Sequence, residues 1–299
     1  MLYLALSILT NVVLFIVFRS FTLFRINTFL AIVVNYIVCV ITGLVFLGDL
    51  GQLRNINYQS GWVNVGIILG ILFLGTFYVL GITTQRLGVV VASVASKMSM
   101  IIPVLFSLFI LNIASKLFDW LNYLGMIFAL IAILFCSINR PWDDFKGSTK
   151  FSFLVLPLVI FIFGGSIDAL INYANFKFLS TATAPIFPIL IFGVAATIGL
   201  SVLPLQRPRI EMRSIVGGIC LGVPNYFSVY FIIKALTALE NDGAILYPLL
   251  NVGIIVFSSF AAVILFKEKL AFINKVGIIL ALLAIIMLSH QEIRLLLNV

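Results

Sequence analysis

Ten continuously apolar runs divide the 299-residue chain, at 2–18, 27–47, 62–83, 89–112, 121–138, 152–178, 184–205, 214–236, 243–266 and 276–289. A helix of ~20 apolar residues crosses the ~30 Å hydrocarbon core of a bilayer. Strands of a membrane barrel would instead alternate in polarity over about ten residues. The runs do not alternate, so they read as spanning helices. Composition closes the alternative of a soluble fold: 63% of residues are hydrophobic and 9% charged, where soluble domains carry about 25% charged residues. Too few polar side chains remain to cover a surface in water. This excludes a soluble catalytic domain, a nucleotide-hydrolysing motor and a nucleic-acid-binding module. The connections are little more than a dozen residues at most, so no loop holds a further domain. The start, Met1-Leu2-Tyr3, carries no basic n-region, and 2–18 reads as a retained first helix rather than a signal peptide.

The formal charge of +8 fits basic loop ends at a membrane rather than a nucleic-acid surface. Cys39, Cys136 and Cys220 are odd in number, far apart and inside apolar runs. They imply neither a disulfide framework nor a metal site.

The chain also repeats itself. Residues 61–138 laid on 213–290, without a gap, give 18 identities in 78 positions. Among them are Gly66/Gly218, Gly70/Gly222, Tyr78/Tyr230, Ala92/Ala244, Ser107/Ser259, Asn122/Asn274, Gly125/Gly277, Ala129/Ala281, Ala132/Ala284 and Ser137/Ser289. The expected organisation is therefore two five-helix repeats, 1–140 and 151–290. Five is odd, so the second repeat enters the membrane upside down relative to the first. Such inverted-topology repeats are common in secondary transporters. The fold class expected is all-α integral membrane, ten transmembrane helices in two inverted repeats.

Each repeat ends on a Gly/Ala-rich helix behind a short turn. The second reads Leu265-Phe266-Lys267-Glu268-Lys269-Leu270, then Gly277, Ala281 and Ala284; the first reads Leu117, then Gly125, Ala129 and Ala132, after Pro103. This pattern resembles the ten-helix, EamA-like branch of the drug/metabolite transporter superfamily. The acidic residue usual in the turn is Glu268 in the second half, but Lys116 stands there in the first, and Pro103 is matched by Ile255. The resemblance implies helices one to four and six to nine around a cavity, with five and ten outside. Between Leu124 and Ser137, and between Val276 and Ser289, no charged or amide side chain occurs, which suits the same peripheral place against lipid or a second subunit.

Polar groups inside hydrocarbon are costly and mark candidate sites. Asp168 is the acidic residue deepest in a run, with Asn172 and Asn175 on the same helical face. Lys97 stands some 13 Å into segment four at ~1.5 Å per residue, on a face traced by Ser93, Lys97, Met100, Val104 and Ser107. Tyr226, Tyr230 and Lys234 share a face of segment eight; Tyr247, Asn251 and Ser258 share one of segment nine. Tyr78 is a further cavity candidate; Asn11 with Ser7, and Asn35 with Cys39, are weaker and suit interhelical hydrogen bonds. Lys234, near a helix end, suits snorkelling to the interface. The glycine pairs Gly66/Gly70 and Gly218/Gly222 suit close helix packing. Pro103, Pro157, Pro224 and Pro248 suit bends.

The expectation is a secondary active transporter of small metabolites, amino acids or related polar or amphipathic compounds, working by alternating access and exporting them from a bacterial inner membrane. Asp168 would carry a proton or touch substrate. Lys97 would bind a substrate carboxylate or neutralise Asp168. No cofactor or metal set is implied, and no phosphate-cradling glycine loop occurs. Partners are a small-molecule substrate, a coupled proton and membrane lipid, in a monomer or homodimer, with no nucleic acid. An uncoupled permease is the first alternative. An intramembrane lipid-modifying enzyme is the second, weakened because the single histidine is His290 and no paired intramembrane carboxylates occur. Basic residues counted per loop place both termini outside, whereas the family implies cytoplasmic termini; orientation stays open.

Overall fold

The computed structural model describes residues 2–48, 51, 61–109, 119–137, 148–180, 182–206, 210–239, 243–267, 270–288 and 290–291. Their elements are all helices: α1 Leu2–Leu23, α2 Thr28–Leu47, α3 Gly61–Leu87, α4 Val89–Met98, α5 Ile101–Phe109, α6 Trp120–Ser137, α7 Ser148–Lys177, α8 Ile186–Gln206, α9 Met212–Ala238, α10 Gly243–Phe266 and α11 Phe272–Leu288. Among the described residues, six stretches are long and apolar enough to cross a membrane: α1, α2, α3, Val155–Lys177 of α7, α8 and α9. Their outward faces carry Ile41, Val45, Ile71, Leu200 and Val216 in the open, a surface that water would not tolerate. The protein is a multi-pass, helical membrane protein.

Most of the apolar runs map onto one helix each, with shifted ends. Arg19 and Gln85 lie inside α1 and α3 rather than in breaks. The chain turns instead at Arg25, with φ 51°, and at Gly88, with φ 99°. Asn27 caps α2 by accepting the Leu30 N–H at 3.0 Å.

Segment four departs from expectation. It is not one helix over 89–112 but two, α4 and α5, broken at Ser99–Met100. Pro103 supplies the reason. Inside a continuous helix its ring would meet the Ser99 carbonyl and offer that carbonyl no N–H; in the first turn of a new helix neither penalty arises. The Ser99 carbonyl accepts from Ile102 N–H at 2.9 Å instead. The break ends the continuous face expected over Ser93, Lys97, Met100, Val104 and Ser107. Pro157 and Pro224, by contrast, are carried inside continuous helices.

The chain forms two compact units: residues 1–82 with 170–241, and 83–169 with 242–299. In the first unit, glycine removes the side chain where helices cross. A Cβ on Gly66 would stand 2.6 Å from Leu190, and one on Gly70 would stand 2.6 Å from Val194 and 2.8 Å from the Ile191 carbonyl, so α3 lies against α8. A Cβ on Gly218 would stand 2.5 Å from Val34 and 2.6 Å from the Ala31 carbonyl; one on Gly222 would be 2.6 Å from Val38 and 2.7 Å from the Asn35 carbonyl. Thus α9 lies against α2. Between α2 and α8, Gly43 faces Ile189 and Tyr226, Gly199 faces Val33 and Leu74, and Tyr36 stacks on Phe192 at 5.8 Å. As α2 advances from Val33 to Gly43, α8 runs back from Gly199 to Ile189, so this pair is antiparallel. The other two pairs are parallel.

In the second unit α6 and α11 pack on each other, and α4 packs on α6 and α10. Asn122 accepts the Asp119 N–H and Asn274 the Ala271 N–H, both at 3.0 Å. These repeat-equivalent side chains cap the two helices alike. Asn274 also donates to the Phe135 carbonyl. His290 lies 2.8 Å from both the Asp119 carboxylate and the Met287 carbonyl, joining the start of α6 to the end of α11.

Two predictions follow from this packing. Gly218→Ala drives a methyl into backbone on α2 and lowers the midpoint of a thermal melt in detergent, by about 1–3 kcal/mol of stability. Gly193→Ala, with its nearest neighbour 4.0 Å away, leaves the midpoint within error; equal losses at both sites contradict the crossing. The second concerns pH. Partial burial pushes the Asp119 carboxyl up, but hydrogen bonds from Asn122 N–H, His290 and Leu121 N–H outweigh it and hold the carboxyl below its ordinary range. Its stabilisation is therefore complete above the unfolded value, about 3.9, and is lost as pH falls through the lower folded value. The melting difference between wild type and Asp119→Asn shrinks toward zero from pH 6 to pH 3. A difference that does not change with pH contradicts the assignment.

Candidate functional site

The ten candidate side chains are divided between the two compact units. Lys97, Asp168, Tyr247 and Asn251 fall in the second unit; Asn11, Tyr78, Asn172, Asn175, Tyr226 and Tyr230 fall in the first. Although Asn172 follows Asp168 by one turn of α7, the unit boundary passes between them.

The site in the second unit is built at the α4–α5 break. Gly164 and Gly165 bring α7 against it: a Cβ on Gly165 would stand 2.7 Å from both Ile102 Cβ and the Ser99 carbonyl, and one on Gly164 would stand 3.4 Å from Ser99 Oγ. Lys97 lies two residues before Ser99 and Asp168 one turn beyond Gly164. The close approach therefore brings two charged groups into electrostatic range of each other. Lys97 is 8% exposed, while Asp168 is only half-buried. A buried lysine is far from the interface to which it would snorkel, and a nearby carboxylate favours its charged form. From α10, the Tyr247 hydroxyl donates to the Asp168 carbonyl at 3.0 Å. That bond explains why Tyr247 is 1% exposed instead of standing in an interfacial belt. One turn on, Asn251 is 1% exposed, and its Nδ2 has no protein partner. A buried donor of that kind costs about 1–3 kcal/mol. The cluster thus offers a buried cation, a half-exposed anion and an unsatisfied amide donor: the elements needed to hold a small molecule bearing both a charged and a polar group.

In the first unit the candidate residues serve packing more plainly. Tyr226 is buried, donates to the Pro185 carbonyl at 3.0 Å, and stacks on Tyr230. Lys234 Nζ lies 5.7 Å over the Tyr230 ring. Tyr78 meets Phe29 edge-on, and Asn11 donates to the Ser7 carbonyl of its own helix. Asn172 and Asn175 are buried, with Asn172 Oδ1 unpartnered. Asn35, a weaker candidate in the sequence, meets a residue that the sequence pattern does not single out, Asn225. Both are fully buried, Asn225 Nδ2 donates to Asn35 Oδ1 at 3.1 Å, and Cys39 Sγ approaches the Gly222 carbonyl at 3.2 Å. The signal was present as single amides inside otherwise apolar helices. Lys116, Glu268 and Lys269, which carry the turn pattern, lie outside the described residues.

No family model matches the chain. An uncharacterized protein of Haemophilus influenzae is 28% identical over 271 residues, covering 88% of each chain. A solved crystal structure, 13% identical, matches with a TM-score of 0.59 over 95% of this chain and 98% of that one; at that identity the likeness is one of fold.

The electrostatic coupling of Lys97 and Asp168 carries a prediction. Asp168→Asn removes the carboxylate that favours the charged form of Lys97 and lowers stability, by less than the about 3–5 kcal/mol typical of a broken buried pair, because Asp168 is half-exposed. Lys97→Met in the same background restores most of the loss. Thermal melts of the single and double variants in detergent measure the coupling, and additive losses contradict it.

Proposed function

We propose that the protein is a secondary transporter of small metabolites, built as two inverted-topology repeats of five spans and related to the EamA-like drug/metabolite transporters. The observation that carries this reading is an exchange of contacts within the first unit. Add 152 to positions on α3 or subtract it on α9, and shift α2 and α8 by 156. Gly66–Leu190 then becomes Gly218–Val34; Gly70–Val194 becomes Gly222–Val38; Gly43–Ile189 becomes Gly199–Val33; Gly43–Tyr226 becomes Gly199–Leu74. The stacked pair Tyr36–Phe192 maps onto itself. A two-fold rotation produces such an exchange. Because it swaps antiparallel α2 and α8, its axis lies across the helices, hence in the plane of a membrane they span. Packing that is equivalent in two opposite directions supports repeats that trade conformations, one closing as the other opens.

The cluster of Lys97, Asp168, Tyr247 and Asn251 supplies the chemistry. Asp168, with access to solvent, takes a proton or a substrate cation. Lys97 is then released to a substrate carboxylate, and Asn251 Nδ2 gains an acceptor. A proton gradient or the substrate's own gradient drives the cycle, and export from a bacterial cell membrane is the direction proposed. Similarity to a bacterial protein agrees with that place.

Counterflow in proteoliposomes, screened over amino acids, nucleobases, sugars and cationic drugs, tests the reading. Wild-type protein accumulates at least one labelled compound against its gradient, and Asp168→Asn abolishes the accumulation while running as a single monodisperse peak on gel filtration. Accumulation that persists in the variant removes Asp168 from the mechanism, and equilibration without accumulation favours an uncoupled permease.

A further inference from the structure

The two crossings exchanged by the rotation, α3 on α8 and α9 on α2, are equally tight at their glycines but differ in polarity. At the α9–α2 crossing stand Asn35, Cys39 and Asn225. Their counterparts at the α3–α8 crossing are Ile191, Ala195 and Phe73, all apolar and buried. The amide pair is half-satisfied: Asn225 Nδ2 reaches Asn35 Oδ1, but Asn35 Nδ2 and Asn225 Oδ1 have no protein partner. A partly satisfied buried network holds a seam less well than an apolar one of the same shape, because each orphan group keeps its desolvation cost. Thr76 Oγ1 on α3 also lacks a partner. A helical Thr hydroxyl, however, reaches its own i−3 or i−4 carbonyl by rotating about χ1, which an interhelical amide cannot do.

We propose that Asn35 and Asn225 make the α9–α2 crossing the seam that parts during the conformational cycle, while the apolar α3–α8 crossing stays closed. This rests on the repeat reading above and adds an asymmetry that the repeat alone does not contain. Parting the seam lets water reach both orphan amide groups, which lowers the cost of the open state on this side only. The two helices remain tied at their starts, where the Asn27 N–H donates to Ser214 Oγ at 3.1 Å. The seam therefore opens toward Phe46 and Tyr230, which meet edge-on at 5.0 Å.

Cys39 reports directly on this seam, being fully buried between α2 and α9. Its counterpart for comparison is position 195. Two single-cysteine proteins suffice: Cys39 alone (Cys136→Ser, Cys220→Ser), and Ala195→Cys with all three native cysteines replaced by Ser. Each is labelled with a small charged methanethiosulfonate in detergent below its melting point, and its rate is divided by the rate in SDS. Cys39 reacts at least about tenfold faster than the cysteine at 195, the ratio expected from relief of one orphan polar group. Equal rates, or faster reaction at 195, overturn the proposal. Copying the apolar crossing with Asn35→Ile and Asn225→Phe slows Cys39 to the rate at 195; unchanged labelling in a folded double variant also overturns it. If that variant does not fold, the first comparison decides alone. Labelling needs no substrate, so its failure leaves the transport reading standing, and asymmetric labelling in a protein without transport would do the reverse.

Discussion

Close approach of helix backbones, permitted by glycine, is the constraint on which the rest of this structure depends. Lipid offers no hydrophobic reward for burying one apolar face against another, so packing quality decides which helices associate. At Gly66, Gly70, Gly218 and Gly222 any side chain would collide with the neighbouring helix. The same four positions set the register of α3 on α8 and of α9 on α2. Because that register is shared, the antiparallel α2–α8 pair is placed symmetrically between them. A second glycine pair, Gly164 and Gly165, does the equivalent work in the other unit. There the neighbour is a helix break rather than a helix, and the result is a charged site.

That site shows how a local chain rule becomes chemistry. Pro103 disfavours a continuous helix through Ser99, and the break there gives α7 a place to press. The approach of α7 brings Asp168 to Lys97, and α10 holds the arrangement through the Tyr247 hydroxyl. Each step is local; together they keep two opposite charges deep in an otherwise apolar protein. A charge pair half-open to solvent is more readily exchanged than one sealed away. That distinguishes Lys97 and Asp168 from the tightly packed Tyr226, Tyr36 and Phe192 of the first unit.

Much of the fold was legible in the sequence because hydrocarbon imposes length and polarity on every span. The apolar runs located the helices, and the paired glycines located crossings. The unusual cost of a buried charge singled out Lys97 and Asp168. What escaped was set by tertiary contact. A helical face drawn through Ser93, Lys97 and Ser107 assumed continuity that Pro103 denies. Asn172 and Asn175 share helical spacing with Asp168, but spacing alone does not show that neighbouring turns of one long helix belong to different compact units. The spacing of Tyr247 with Asn251 marks a face of its helix but not the Asp168 carbonyl that its hydroxyl reaches. Asn225 went unremarked because an isolated amide in an apolar run says that a partner exists, not which one.

The inverted repeat is the central claim, and sidedness tests it most directly. Phe24 and Ser180 are exposed, occupy the turns after α1 and α7, and are counterparts under the 156-residue shift. Single cysteines at these two positions, in a protein with Cys39, Cys136 and Cys220 replaced, are labelled in intact cells with a membrane-impermeant maleimide. The account predicts that one is labelled before lysis and the other only after it. Labelling of both from the same side of the membrane would contradict it.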